Sequence, residues 1–143
     1  MIVVVTAAVV ERDGRFLVTK RQQGVHLEGR WEFPGGKCDE GESLAACLDR
    51  ELREELGVGA NVGKEIFTVT HHYPDRSVEL HFFECELTGN PSPQIGQQMR
   101  WVRREELVDL KFPPADAELI RVLTVTRART MATKRTKSRN TRK

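Results

Sequence analysis

The sequence predicts an α/β fold, a mixed β-sheet flanked by helices, from three observations. β-Rich runs come in pairs around turn residues, Ser43 to Leu56 lacks Gly and Pro and carries leucines at four-residue spacing, and a second helical segment follows the last strand. A chain of 143 residues is within the size of one domain and buries about two-thirds of its unfolded surface.

Ile2 to Val10, Asp13-Gly14 and Phe16 to Thr19 read as an opening hairpin with a tight turn. Residues 21–42 center on Pro34-Gly35-Gly36 and read as loop, interrupted by the apolar piece Trp31 to Phe33. Ser43 to Leu56 is a helix that stops at Gly57 as its C-cap. Phe67 to His72 and Val78 to Leu87 make a second hairpin around Tyr73-Pro74-Asp75-Arg76-Ser77. Asn90 to Gly96 is a loop, Met99 to Val102 a short strand, and Asp116 to Thr124 a second helix with Leu119, Ile120 and Leu123 on one face.

An apolar fraction of 38% and a charged fraction of 31% exclude a collagen-like or wholly disordered chain. The longest apolar run, Ile2 to Val10, is far short of the roughly 20 residues that span a bilayer, so no membrane association is expected. It follows Met1 without a basic segment, which points to a cytoplasmic protein. Cys38, Cys47 and Cys85 are odd in number and lack CxxC spacing, and the expectation is free thiols in a reducing compartment.

Charge divides the chain. Residues 127–143 hold eight of the 23 Lys and Arg and no acid, leaving residues 1–126 with 15 bases against 21 acids, a net charge of −6. The expected organization is a domain over residues 1–126 and a basic, disordered tail over 127–143. That tail is either a solvated end or a weak contact for nucleic acid. An acidic body suits a phosphate-bearing substrate only if cations intervene.

At roughly 100° per residue Leu44, Leu48, Leu52 and Leu56 form a stripe about 120° wide, the core face of the first helix. Glu51, Glu54 and Glu55 share another face at i, i+3 and i+4. Carboxylates about 5.5 Å apart repel by roughly 3 kcal/mol per pair at an effective dielectric near 20. Arg50 and Arg53 project from other sides of the wheel and are not expected to neutralize all three. A divalent cation does so, and an all-oxygen ligand set suits Mg²⁺, with Mn²⁺ as a substitute, better than zinc. His71 and His72 fall on opposite faces of a strand, which argues against a paired metal site.

The segment from Gly36 through Glu42, Arg50-Glu51-Leu52 and Glu54-Glu55 to Gly57-Val58 follows the pattern GX5EX7REUXEEXGU, with U aliphatic, at every specified position. With Trp31-Glu32-Phe33-Pro34-Gly35-Gly36-Lys37 before it and Phe112-Pro113-Pro114-Ala115-Asp116 after it, the chain resembles the Nudix hydrolase superfamily, and within it the MutT-like branch, over roughly residues 3–124. The resemblance implies a Nudix-type α/β/α sandwich and cleavage of nucleoside triphosphates to monophosphate and pyrophosphate. Oxidized nucleotides such as 8-oxo-dGTP are the expected substrates, with CTP or dCTP and dinucleoside polyphosphates as alternatives within the enzyme class, and a nucleotide- or nucleic-acid-binding protein outside it.

By the same resemblance the carbonyl of Gly36 and the carboxylates of Glu51, Glu54 and Glu55 bind metal. Glu51 and Glu54 are the catalytic positions, Glu51 as base or as ligand, and Glu42 and Arg50 are structural partners. Arg21 contacts phosphates; Phe33, Arg76 and Asp116 line the base pocket. His26 either contacts phosphate or packs on Trp31. Related enzymes often carry a further glutamate in the loop before the Trp101 strand, where this chain offers Gln94, Gln97 and Gln98. The active unit is expected to be a monomer or a homodimer.

Overall fold

The computed structural model describes residues 1–24 and 28–124. The chain runs β1 (Ile2–Val9), β2 (Glu11–Arg12), β3 (Arg15–Lys20), β4 (Trp31–Glu32), β5 (Gly35–Lys37), α1 (Leu44–Leu56), β6 (Ala60–Tyr73), β7 (Arg76–Leu87) and β8 (Met99–Arg103). 3₁₀ turns then cover Arg104–Asp109 and Pro114–Asp116, and a second helix occupies 117–124. The basic tail lies outside the described residues. No described helix is long and apolar enough to cross a membrane.

The strands form two four-stranded sheets. The mixed sheet has the order β5-β1-β7-β6, with β1 parallel to β7 and antiparallel to β5; in the other, β3 pairs antiparallel with β2, β4 and β8. The expected opening hairpin is therefore corrected. Ile2–Val9 does not pair with the strand after the turn; the chain changes sheet at Val10, and only Glu11–Arg12 faces Arg15–Phe16. The Asp13-Gly14 turn is present, both residues at positive φ (51° and 75°), the twist that a two-residue hairpin requires. The second hairpin is longer than expected, because β6 continues back to Ala60 across register shifts between Val62 and Phe67.

The central strands are buried on both faces, and side-chain alternation distributes them between two cores. Ala7, Val9, Phe16, Val18 and Phe82 join Phe33, Leu119, Ile120 and Leu123 on the side of the second helix. Ala8, Val10, Leu17 and Phe83 meet Leu48, Leu52 and Leu56 of α1 on the other side. Helices on both sides of the strands make an α/β/α sandwich. Ser43 Oγ accepts from Ala46 N at 3.1 Å as N-cap of α1, and Gly57, at φ 70°, ends it with a bond from its N–H to Arg53 O.

The cysteine expectation is also corrected. Cys38 and Cys47 are joined as a disulfide and Cys85 is the free thiol. Spacing along the sequence does not reveal this pair, because the loop after β5 folds back onto α1 and brings their Cα atoms to 5.2 Å.

Candidate active site

The site begins where β5 lies against β1, with Gly35 opposite Ala7 and Gly36 opposite Thr6. A Cβ on Gly35 would fall on the Thr6 carbonyl oxygen, so only glycine permits this approach. A Cβ on Gly36 would fall on the Glu51 carboxylate. The missing side chain thus lets a carboxylate from α1 close against the backbone of the glycine loop.

Arg50 organizes the acids around it. Its Nε and Nη2 donate to the two oxygens of Glu42 at 2.7 and 2.9 Å, and Nη2 also donates to Lys37 O at 3.1 Å. Its Nη1 reaches Glu51 at 3.0 Å and Glu54 at 3.2 Å. The helical wheel placed this cation on another side; the long side chain bends across, leaving Glu55 as the box acid it does not touch. Arg50, together with an N–H from Asp39, holds Glu42 down to about 2.

Burial raises Glu55, Glu51 and Asp116. Glu55 is pushed up to about 8, mainly by desolvation and then by the negative charges of Glu32 and Glu51. Desolvation also raises Glu51, against the opposing pull of Arg50. Asp116 is pushed up to about 7 by burial and by Glu32. Burial outweighs the opposing charges of Arg50 and Arg21 at these carboxylates, and a cation placed among them favors the ionized form.

A pocket of about 410 Å³ brings Arg21, Phe33, Gly36, Glu51, Glu55, Arg76 and Asp116 into one wall. Phe33 and Asp116 are buried, and the Nε of Arg76 is buried without a hydrogen-bond partner. Glu54 stands outside this lining, with its side chain 58% exposed beside Arg50. Glu42 and Arg50 support the loop from behind. His26 lies outside the described residues.

Glu32 was not singled out from the sequence, yet it occupies the center of the site. It accepts from Arg21 at 2.7 Å, and its charge acts on both Glu55 and Asp116. The signal was present in strand alternation, since Trp31 and Phe33 are buried core residues and the residue between them points the other way. Gln97, in the loop that lacks an acid, is buried and donates from Nε2 to Glu55 O at 2.9 Å, holding the end of α1.

Among the described residues no three carboxylate, imidazole or thiolate groups have already converged on one point. Arg50 takes the place of a cation for Glu51 and Glu54, and the charge of Arg21 acts on Glu55. The ligand chemistry fits a divalent ion, with the oxygen donors of Gly36, Glu51, Glu54 and Glu55 drawn from two adjoining segments.

Such a constellation suits a metal-assisted hydrolase of phosphoric anhydrides, in which cations would let an acidic protein approach an anionic substrate. The chain belongs to the NUDIX domain family, which it matches over residues 5–122, and it is a Nudix pyrophosphohydrolase of the MutT-like branch, a class that uses divalent metal. It is 35% identical over 125 residues to the CTP pyrophosphohydrolase of Escherichia coli (strain K12), covering 87% of this chain and 93% of that one. It is also 35% identical over 121 residues to the 8-oxo-dGTP diphosphatase of Haemophilus influenzae (strain ATCC 51907 / DSM 11121 / KW20 / Rd), covering 83% and 89%. The solution structure of the E. coli ORF135 protein superposes with a TM-score of 0.79 at 34% identity, over 89% of this chain and 91% of that one.

Proposed function

We propose that the protein hydrolyzes (deoxy)nucleoside triphosphates to the monophosphate and pyrophosphate with Mg²⁺, and that oxidized nucleotides such as 8-oxo-dGTP are its preferred substrates. The observation that carries this reading is the single pocket with Gly36, Glu51 and Glu55 along its wall together with Phe33, Arg76 and Asp116. A nucleotide spanning it sets its phosphates against the acids and its base against the aromatic ring.

The residues divide the work. Gly36, Glu51, Glu54 and Glu55 would hold the metal, which when bound would supply Lewis acidity to the phosphoryl oxygens and favor deprotonation of water. Glu51 either ligates or takes the proton from the attacking water. Arg21 neutralizes phosphate charge while tied to Glu32, and Arg76 lines the pocket for the base. When ionized, Asp116 is an acceptor, so it favors a base edge that donates, and 8-oxoguanine donates from N7–H where guanine offers a bare acceptor.

A second reading has its own support. A carboxylate also accepts from the exocyclic amine of cytosine, and the 35% identical relative from E. coli is a CTP pyrophosphohydrolase. The experiment is a Mg²⁺-dependent hydrolysis screen over 8-oxo-dGTP, dGTP, CTP, dCTP and dinucleoside polyphosphates with product identification. A higher kcat/KM for 8-oxo-dGTP than for dGTP and dCTP supports the first reading, and a preference for CTP or dCTP replaces it with the second.

A further inference from the structure

Cys38 and Cys47 belong to the two segments that supply the candidate metal ligands. Cys38 follows the strand that carries Gly36, and its N–H donates to Val4 O at 2.9 Å. Cys47 sits in α1, one turn before Glu51, fully buried beside the leucine stripe. The disulfide between them spans nine residues of sequence and encloses Glu42. The Cys47 sulfur lies 3.9 Å from the Gly36 carbonyl oxygen and 3.3 Å from Thr6 Oγ1.

We propose that Cys38 and Cys47 form a reversible thiol–disulfide site that sets the metal affinity of the box, high when oxidized and low when reduced. The inference rests on the reading of Gly36, Glu51, Glu54 and Glu55 as the metal site. Two effects act in the same direction. The covalent bond fixes the glycine loop to the helix, so the ligands from the two segments keep their relative placement without further loss of chain freedom on binding. In the disulfide neither sulfur carries hydrogen, so the Gly36 carbonyl meets no donor from Cys47. Reduction creates an S–H at that position, which donates to the oxygen that a cation would use.

The exchange balances with a dithiol as co-reactant. Its thiolate attacks the sulfur of Cys38, which is partly exposed whereas Cys47 is fully buried. The S–S bond breaks, Cys47 leaves as thiolate and takes a proton, and the second thiol of the reductant then displaces Cys38. Two electrons pass to the pair, and the reductant departs as its own disulfide. Oxidation by a disulfide reverses these steps. Cys85 stands apart, buried in the core cluster beneath α1 with its thiol pushed up to about 12, which makes it a poor competitor for the exchange.

The test uses the full chain, with Mn²⁺ as probe. After incubation with oxidized glutathione, alkylation of the unfolded protein should label one cysteine, and after treatment with a dithiol it should label three. Three labels in both states would overturn the proposal. Mn²⁺ titration should then give about a tenfold weaker Kd for the reduced protein, the size of effect seen when a group supporting a ligand is lost. Cys38→Ser, and separately Cys38→Ser with Cys47→Ala, should bind at one affinity in both redox states while retaining the wild-type circular dichroism spectrum. Equal Kd values for the oxidized and reduced wild type would sink the coupling while leaving the metal site standing. Absence of Mn²⁺ binding in every form would remove the metal reading and the coupling together.

Discussion

The guanidinium of Arg50 grips both oxygens of Glu42, at 2.7 and 2.9 Å, although the two residues are eight apart and one of them lies outside the helix. This fork closes the loop after Gly36 onto α1. It also leaves Nη1 free to reach Glu51 and Glu54. Arg50→Ala should lower the midpoint of a urea titration, modestly because the network is partly exposed. Arg50→Lys keeps the charge but loses the planar fork, and should recover less than half of the loss in a urea titration.

Glu55 links stability to pH. Its folded-state pKa of about 8 lies above the ordinary 4.5, so between those values the folded protein keeps a proton that the unfolded chain has released. Without divalent metal, stability should therefore fall as pH rises from about 4.5 to about 8. Raised values at Glu51 and Asp116 act with the same sign. Glu55→Gln should melt at a higher temperature than wild type at pH 8 in EDTA, show a shallower dependence on pH, and lose turnover by about a hundredfold or more. A turnover loss of less than about tenfold would place the metal elsewhere.

The adjacent glycines should respond differently to a methyl group. In Gly36→Ala the methyl meets a movable carboxylate, so the fold should survive while Mn²⁺ affinity falls by about tenfold or more. In Gly35→Ala it meets the backbone of Thr6 and Ala7, and should cost roughly 1–3 kcal/mol of stability or more. Thermal melts alongside Mn²⁺ titrations separate the two.

Asp116→Ala removes the buried acceptor from the pocket. The ratio of kcat/KM for 8-oxo-dGTP to that for dGTP should fall by about tenfold or more, the order of a lost hydrogen bond to a charged group, while turnover of dGTP changes less. An unchanged ratio would show that the base is read by other residues.

Truncation after Thr126 removes eight cations and almost no apolar surface. Its kcat and melting temperature should stay close to those of the full chain, while salt-sensitive retention on immobilized nucleic acid should disappear. A drop of several degrees in melting temperature would show that the tail packs on the domain.

The helix that carries the box acids was legible because its signals are local: a leucine stripe, a serine cap and a terminal glycine act over single turns. Pairing is not local. Ile2–Val9 reads as a strand whatever its neighbor, and nothing in its composition says that the partners are Ser77–Glu84 and Lys37–Gly35 rather than the strand after the nearest turn. The site followed the same division. The acids of the box were visible through their spacing, whereas the reach of Arg50, the central place of Glu32 and the meeting of Cys38 with Cys47 depend on how separate segments approach. In the sequence Gln97 stands out only for the charge it lacks, while its contact with Glu55 O belongs to the folded loop.

The parallel pairing of β1 with β7 governs the order in which the chain can assemble. On a ribosome Ile2–Val9 emerges before its parallel partner, which is some 75 residues further on and appears after α1 and β6 have been made. Until then β1 has only the short β5 beside it, and its other edge is open to neighboring chains as an aggregation-prone edge. The β6–β7 hairpin is closed by a short turn and pairs residues close in sequence, so its contacts are local where the β1–β7 pairing is not. Moving Ile2–Val9 to the end of the chain by circular permutation would reverse this waiting order, and a change in refolding yield is where its effect would first appear.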